Sequence, residues 1–527
     1  MSLLSNIFER QPIEVQKRNG FDLSHLVCGT SKCGQLVPVL TRLMMPASKW
    51  TLGASVQCEL PPLATSFFGR VDFVLEAFYT PCSALYGGWR QFISNELASS
   101  FPASQNPLLG STYFSGDGYV LPLIDYSSSQ VFNVETALAA ENNSILRYMG
   151  YSDSGDVTAA GGRLRFNMLP FLCYHRICDV YYRNPQVTQT WFAVNPNSSF
   201  DGDSAGFNTK NVSLVWHSFY TSLTELGEDS SYSYYSGLFD TTAALRFPDS
   251  VSIFSTRQRP WARDYFTAAS VDPQQGNPST LAFGVTVNDD AGVGEFTIAS
   301  LRAANSLQKF LEANNYGYNY RDSMLAQFGE YPSDNLHDEP VYLGRLVIPV
   351  YQKGIYLTSQ TTPIGSSNPW GDDGVLGTKG ASGSFTGEGS LVKSFHNKEF
   401  GYLMVLASLV PHTMYNYGCS RDLLRNSIGD FPFPLLQGVG MDSIKDMEVY
   451  AANGALSTDF AYIPRYSFEK YICDRACGEL VPGKTLSSFV LQRSFSGMPE
   501  FGTEFLEIPQ DALDDVFAVT TNTSKLS

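Results

Sequence analysis

Apolar and polar positions alternate along residues 71–79. Val71, Phe73, Leu75, Ala77 and Tyr79 share one face, and Asp72 and Glu76 share the other with Val74 and Phe78. A period of two predicts a strand, ended by Thr80-Pro81 because proline cannot donate to a ladder. Residues 35–40 are apolar and β-branched, and 346–351, 402–410, 447–451 and 488–491 are further short, strand-like runs. The helical period shows twice. Leu301, Ala304, Leu307, Phe310 and Leu311 line one face of a helix predicted over 301–314, with Ser300 as its N-cap. Packing through Leu301, Ala304, Leu307 and Leu311 would make Leu307→Asp costly. A second helix over 320–328 carries Met324, Leu325 and Phe328 and stops at Gly329.

Between these elements lie stretches of Ser, Asn, Gly and Asp with no sustained period, about 94–160, 185–256 and 359–395. Of these, 195–240 and 359–395 are expected as surface or inter-subunit loops, since they offer no continuous apolar face. Many short strands, few helices and long loops predict an all-β sandwich with insertions.

The length of 527 residues suits several domains or one large core with long excursions. Charged residues make up only 16% and aromatics reach 13%, which excludes a disordered chain or a coiled coil and fits an exterior partly covered by other copies. The formal net charge is −16, so nucleic acid gains nothing from the chain as a whole. No block of five Lys or Arg occurs; the densest basic groupings are Lys17-Arg18 and Arg257, Arg259 and Arg263. The first residues have no signal-type apolar core and 402–410 is too short for a bilayer span, so synthesis in the cytoplasm is expected.

Searches for chemistry return weak matches. Gly29 and Gly34 have phosphate-loop spacing, but Gln35 and Leu36 stand where Lys and Ser/Thr are needed, so a turn before a strand is the better reading. Asp201-Gly202-Asp203 opens like a calcium loop, yet Ala205 and Val212 occupy ligand positions. The nine cysteines form C-x4-C and C-x3-C pairs rather than paired zinc hooks, and reduced, mostly buried thiols are expected. No catalytic, cofactor or metal residue is assigned. Paired carboxylates working on a sugar would be invisible in one sequence, which leaves a carbohydrate-binding or carbohydrate-cleaving β-sandwich as the rival reading.

Phe21-Asp22-Leu23-Ser24-His25 followed by Gly34-Gln35-Leu36-Val37-Pro38 resembles the opening of the major capsid protein of the Microviridae, the small icosahedral single-stranded DNA phages, in gokushovirus-like form. Asp72 to Pro81 and Leu85 to Phe92, with Trp89, are similar to its next strand and turn. Leu169-Pro170-Phe171 with Tyr181-Tyr182-Arg183-Asn184 resembles a family helix. Arg263-Asp264-Tyr265-Phe266-Thr267 followed by Pro273-Gln274-Gln275-Gly276 resembles the family's R-D-Y-F-T and P-Q-x-G blocks, and Leu301-Arg302 with Gln308-Lys309-Phe310-Leu311-Glu312 its L-R and Q-K block. Tyr462 to Tyr466 and Arg493-Ser494-Phe495 match later segments. The blocks fall in family order from residue 21 to about 510.

The resemblance implies one capsid domain over 1–527, an eight-stranded antiparallel jelly roll with long inter-strand loops and a few short helices. Its strands would fall about 34–82, 340–358, 396–415 and 445–495, with a helical insertion about 300–329. It implies a structural subunit without catalysis, closing with copies of itself into a T=1 shell in the virion. The implied partners are circular single-stranded DNA, a spike protein at the fivefold vertices, a small basic DNA-binding protein, a scaffolding protein and a host surface receptor such as a glycan. One subfamily builds a threefold protrusion between its P-Q-x-G and L-R blocks; here that interval, 277–300, is short and 185–256 is long.

Overall fold

Strands buried on one face alternate, whereas strands buried on both faces read as continuous apolar runs. Gly401–Pro411 is such a run, and all eleven of its residues are buried. The computed structural model of the chain describes, apart from isolated positions, residues 19–59, 68–85, 123–125, 145–151, 165–188, 256–274, 298–314, 320–330, 339–356, 379–436, 440–453, 458–509 and 523–526.

Within these, the strands in chain order are β1 (Gly29–Lys32), β2 (Val37–Met44), β3 (Lys49–Glu59), β4 (Val71–Pro81), β5 (Leu123–Asp125), β6 (Arg165–Asn167) and β7 (Val341–Pro349). They continue with β8 (Tyr351–Tyr356), β9 (Lys379–His396), β10 (Gly401–Pro411), β11 (Met441–Lys445), β12 (Asp459–Pro464) and β13 (Thr523–Leu526). One sheet runs β1-β13-β3-β9-β8 and another β2-β10-β4-β7, with every pair antiparallel. Val56, Cys58, Leu391 and Val392 from the first meet Phe73, Leu75, Ile348, Val405 and Leu409 from the second in one core. The protein is thus mostly β, a sandwich with few helices.

The polar face of β4 is also buried. It is covered by α1 (Leu169–Ile177) and the π-helical turn that continues it, Cys178–Tyr182. Phe78 packs there with ring centroids 4.9 Å from Tyr181 and 6.1 Å from Tyr182.

The glycine-rich tract corrects one expectation. Residues 379–395 are not loop but most of β9, which pairs with both β3 and β8. The glycines are there because the sheets come close. A β-carbon on Gly387 would stand 2.7 Å from Ile348, and one on Gly389 2.5 Å from Leu346. A side-chain alphabet chosen for close approach looks like a linker in sequence. Residues 359–378 and 195–240 lie outside the described residues.

Other corrections are local. Within 447–451 the chain is helical over Asp446–Val449 and again from Ala451 to Asn453, the first piece begun by the Glu448 carboxylate, which accepts the Lys445 N–H at 3.1 Å. Residues 488–491 form a short turn, Ser487–Phe489, followed by single bridges rather than a strand. The region 445–495 therefore contributes β12, paired with β11 in a separate two-stranded sheet.

Helix α2 (Ile298–Asn314) covers the predicted span, and α3 (Tyr320–Phe328) ends at Gly329, whose φ of 72° suits a left-handed cap. Leu307 is 50% exposed and Phe310 49%, so the expected packed face is corrected. Ala304, Gln308, Leu311 and Glu312 are the partly buried positions instead, on the side where Gln308 meets Gln274. Among the described residues no helix is long and apolar enough to cross a membrane.

Gly344 on β7 is the tightest test of the inter-sheet fit, because an added β-carbon would fall against the Leu391 carbonyl oxygen, which is backbone and cannot swing away. Gly344→Ala should destabilise the subunit by about 1–3 kcal/mol as overpacking does, read as a lowered thermal midpoint. An unchanged midpoint would mean that the sheets are farther apart than described.

Candidate functional site

A short polar side chain can bond its own backbone two or three residues on and fix a turn. Asp264 does this in Arg263-Asp264-Tyr265-Phe266-Thr267. Its Oδ1 accepts the Phe266 N–H at 2.9 Å, the Thr267 N–H at 2.7 Å and the Thr267 hydroxyl at 2.9 Å. Its Oδ2 accepts the Tyr415 hydroxyl at 2.7 Å. With the turn set, Tyr265 and Phe266 point into a second core with Ile444, Val449, Ala461, Ile463, Phe505 and Leu506. Arg263 stays exposed.

Two buried polar chains leave this turn. Tyr265 donates to Glu448 Oε2 at 2.9 Å and accepts from Arg421 Nη1 at 3.2 Å. Arg493 donates to Tyr415 at 3.2 Å and to the Phe505 carbonyl at 2.6 Å. Its guanidinium lies 4.1 Å from the Phe505 ring centroid and 5.2 Å from that of Trp261. Gly418 passes so near the Glu448 carbonyl that no β-carbon fits. Burial, then the neighbouring carboxylates, raise both tyrosines well above their ordinary range, so at neutral pH they serve as fixed donors.

A third chain joins this core to the sandwich. Glu76 Oε2 on β4 accepts the Tyr182 hydroxyl at 2.5 Å and Arg259 Nη1 at 2.6 Å, and Arg259 also donates to the Ser408 hydroxyl at 2.9 Å. Arg259 then pairs its backbone with Gly34 and Ile508, while Trp261 donates to the Leu506 carbonyl at 2.9 Å. Gly34, which sequence alone assigns to a turn, has φ 70° and abuts Ile508.

The remaining motif residues are scattered. Phe21, Asp22, Ser24 and His25 lie on an exposed N-terminal stretch, where Asp22 holds the Ser24 N–H at 3.0 Å and its hydroxyl at 2.6 Å, and His25 Nδ1 lies 3.0 Å from the Leu23 carbonyl. Pro38 sits beside a bulge on β2, at the edge of its sheet, where its missing N–H costs no ladder bond. Trp89 meets Phe400 edge-on at 5.9 Å. Gln308 donates to Gln274 and, at 3.2 Å, to Glu312, which brings the P-Q-x-G and Q-K blocks together; Lys309 is exposed. No motif in the sequence marks Glu76, Arg259, Arg421 or Glu448 as a site residue. Only the two acids on the β4 pattern hinted at them.

Three buried thiols are quiet. Burial pushes Cys82, Cys173 and Cys178 up to about 12, which leaves them protonated and poor nucleophiles. The arrangement as a whole ties loops together; its polar groups are spent on one another.

A family described as Capsid protein (F protein) matches residues 12–527. Capsid protein VP1 of Chlamydia phage 1 is 23% identical over 586 residues, covering 96% of this chain and 92% of that protein. Capsid protein VP1 of Bdellovibrio phage phiMH2K is 21% identical over 522 residues, covering 95% and 90%.

Burial raises the Glu448 carboxyl above its ordinary 4.5, against the pull of Arg421. The native state thus keeps this proton longer than the unfolded chain, and stability is lost as pH climbs from about 4.5 through the raised value. Glu448→Gln should flatten that fall in thermal unfolding followed across this interval. A wild-type slope identical to the variant's would show that Glu448 titrates as in the unfolded chain.

Proposed function

The chain belongs to the Capsid protein (F protein) family, whose match spans residues 12–527, and from that membership we propose that it closes with copies of itself into a T=1 icosahedral shell around circular single-stranded DNA. It is a structural subunit of a phage virion, not an enzyme. That decides against the carbohydrate-active reading, and the near-complete span of the match is the observation that carries it.

The finer fold is an eight-stranded jelly roll forming a single capsid domain. Strand order supports this reading: β2 pairs with β10, β10 with β4 and β4 with β7, while β3 pairs with β9 in the facing sheet. The links β2–β3, β3–β4 and β9–β10 each pass from one sheet to the other, as in a double Greek key. Spike protein at the fivefold vertices, scaffolding protein and a host receptor belong to the same proposal.

For the genome, charge is the argument. Of the densest basic grouping, Arg257 is buried and Arg259 is held by Glu76, which leaves Arg263 alone exposed, too little charge to hold a phosphate backbone. Lys17 and Arg18 lie outside the described residues. A separate small basic protein therefore carries the DNA contact, with stacking on exposed aromatics as a lesser term.

Two measurements test this. Purified subunits in assembly conditions should elute in the void of a sizing column and show uniform shells by electron microscopy; a stable small oligomer would overturn the shell. Subunit alone should bind single-stranded DNA weakly near physiological salt, and a basic partner should restore binding. Tight, salt-resistant binding by this chain alone would defeat the basic-partner reading.

A further inference from the structure

Exposed apolar side chains scattered singly need no explanation, but several on one well-ordered surface do. The segment 421–436 carries Leu423 at 71% exposure, Ile428 at 80%, Phe431 at 49%, Phe433 at 43% and Leu435 at 94%, and Ile472 stands at 92% on the neighbouring segment. The two segments are tied to each other. Arg425 pairs with Glu469, the Phe433 N–H donates to the Tyr466 hydroxyl at 3.0 Å, and that hydroxyl donates back to the Phe433 carbonyl at 3.0 Å. Asp430 accepts the Ser427 N–H at 2.7 Å, the Ser427 hydroxyl at 2.9 Å and the Asn426 N–H at 3.0 Å, while Arg425 lies 5.8 Å from the Phe431 ring centroid. The loop is built to hold its apolar side chains in solvent.

We propose that this surface, 421–436 with 466–472, is a contact between two copies of this chain in the shell, an inference that rests on the capsid reading. Charge identifies the occupant. Arg421, Arg425 and Lys470 stand against Asp422, Asp430 and Glu469 across 421–436 and 466–472, a net of zero on a chain of −16. Two copies repel over most of their surfaces, and here the repulsion is absent. A small basic protein finds no acidic patch at this place. Nucleic acid is a poor fit too. Arg425 is engaged with Asp422 and Glu469, Arg421 with Glu448 and Asp442, and Arg465 with Asp442. The four most exposed apolar residues are Leu and Ile, which cannot stack on bases. Aliphatic side chains on a preorganised, electroneutral loop suit the dry centre of a protein interface.

Hydrogen exchange on the full-length wild-type chain tests this, comparing unassembled subunits with shells first verified by electron microscopy. Amides of 421–436 should be protected at least tenfold in shells, whether or not DNA is present. Equal exchange in subunit and shell would overturn the contact, and protection seen only in DNA-filled shells would assign the surface to nucleic acid. Because shells are verified beforehand, failure here is distinct from failure of the capsid reading. Ile428→Asp with Leu435→Asp, both at solvent-facing positions, should leave the subunit's thermal midpoint unchanged and cut shell yield tenfold or more, while Leu435→Met keeps it. Full shell yield from the double variant would also overturn the proposal.

Discussion

Strand β4 has no solvent-facing side. All eleven of its residues are buried, so Asp72 and Glu76 take carboxylates into the interior of the protein. Interior charges must be matched, and losing one partner of such a pair costs roughly 3–5 kcal/mol. Asp72 is met by Arg70 Nε at 2.9 Å and His412 Nε2 at 3.0 Å, which ties the start of β4 to the end of β10. Glu76 is met by Tyr182 and Arg259. The second pairing has long reach. By fixing Arg259 it fixes 256–261 alongside 34–36, and the backbone bonds of Arg259 and Trp261 to Ile508 and Leu506 bring the C-terminal segment to the same line.

From there the second core follows within a few residues. Asp264 closes its turn, Tyr265 and Phe266 enter, and Phe505 and Leu506 arrive beside them from the far end of the chain. Arg493 lies between Tyr415 and Phe505 with its charge spread over aromatic faces. The two cores are thus joined by polar bonds of fixed direction rather than by apolar contact alone. A shell needs each copy to present the same surfaces at the same angles, and directional bonds specify one arrangement where apolar packing tolerates several.

Sequence made the sandwich legible where packing agrees with periodicity. The alternation of β4, the apolar run of β10 and the stop at Gly329 all appear as read, because each is a local consequence of burial or of backbone freedom. It misled where one residue type serves two ends. Gly387 and Gly389 are in a strand because another sheet presses on them, and nothing local distinguishes that from a linker. Leu307 has a core residue's spacing and a surface residue's exposure within one subunit. The polar chains were the least legible. Glu76 and Arg259 are 183 residues apart, and Tyr265 and Glu448 also 183, so no spacing rule joins them. The ordered family blocks say nothing of what holds the Asp264 turn together.

Net charge also governs how copies approach one another. Ion pairs such as Glu76 with Arg259 and Asp179 with Arg183 remove equal numbers of both signs, so the formal −16 is left undiminished on what remains. Repulsion between such subunits falls with the Debye length, about 8 Å at physiological ionic strength. Contacts between copies therefore gain from added salt, whereas the proposed attachment of DNA through a basic partner would lose counterion-release free energy as salt rises. In a shell of these subunits the two steps respond to ionic strength with opposite signs. On a subunit of −16, apolar surfaces of balanced charge are where two copies approach at the least electrostatic cost.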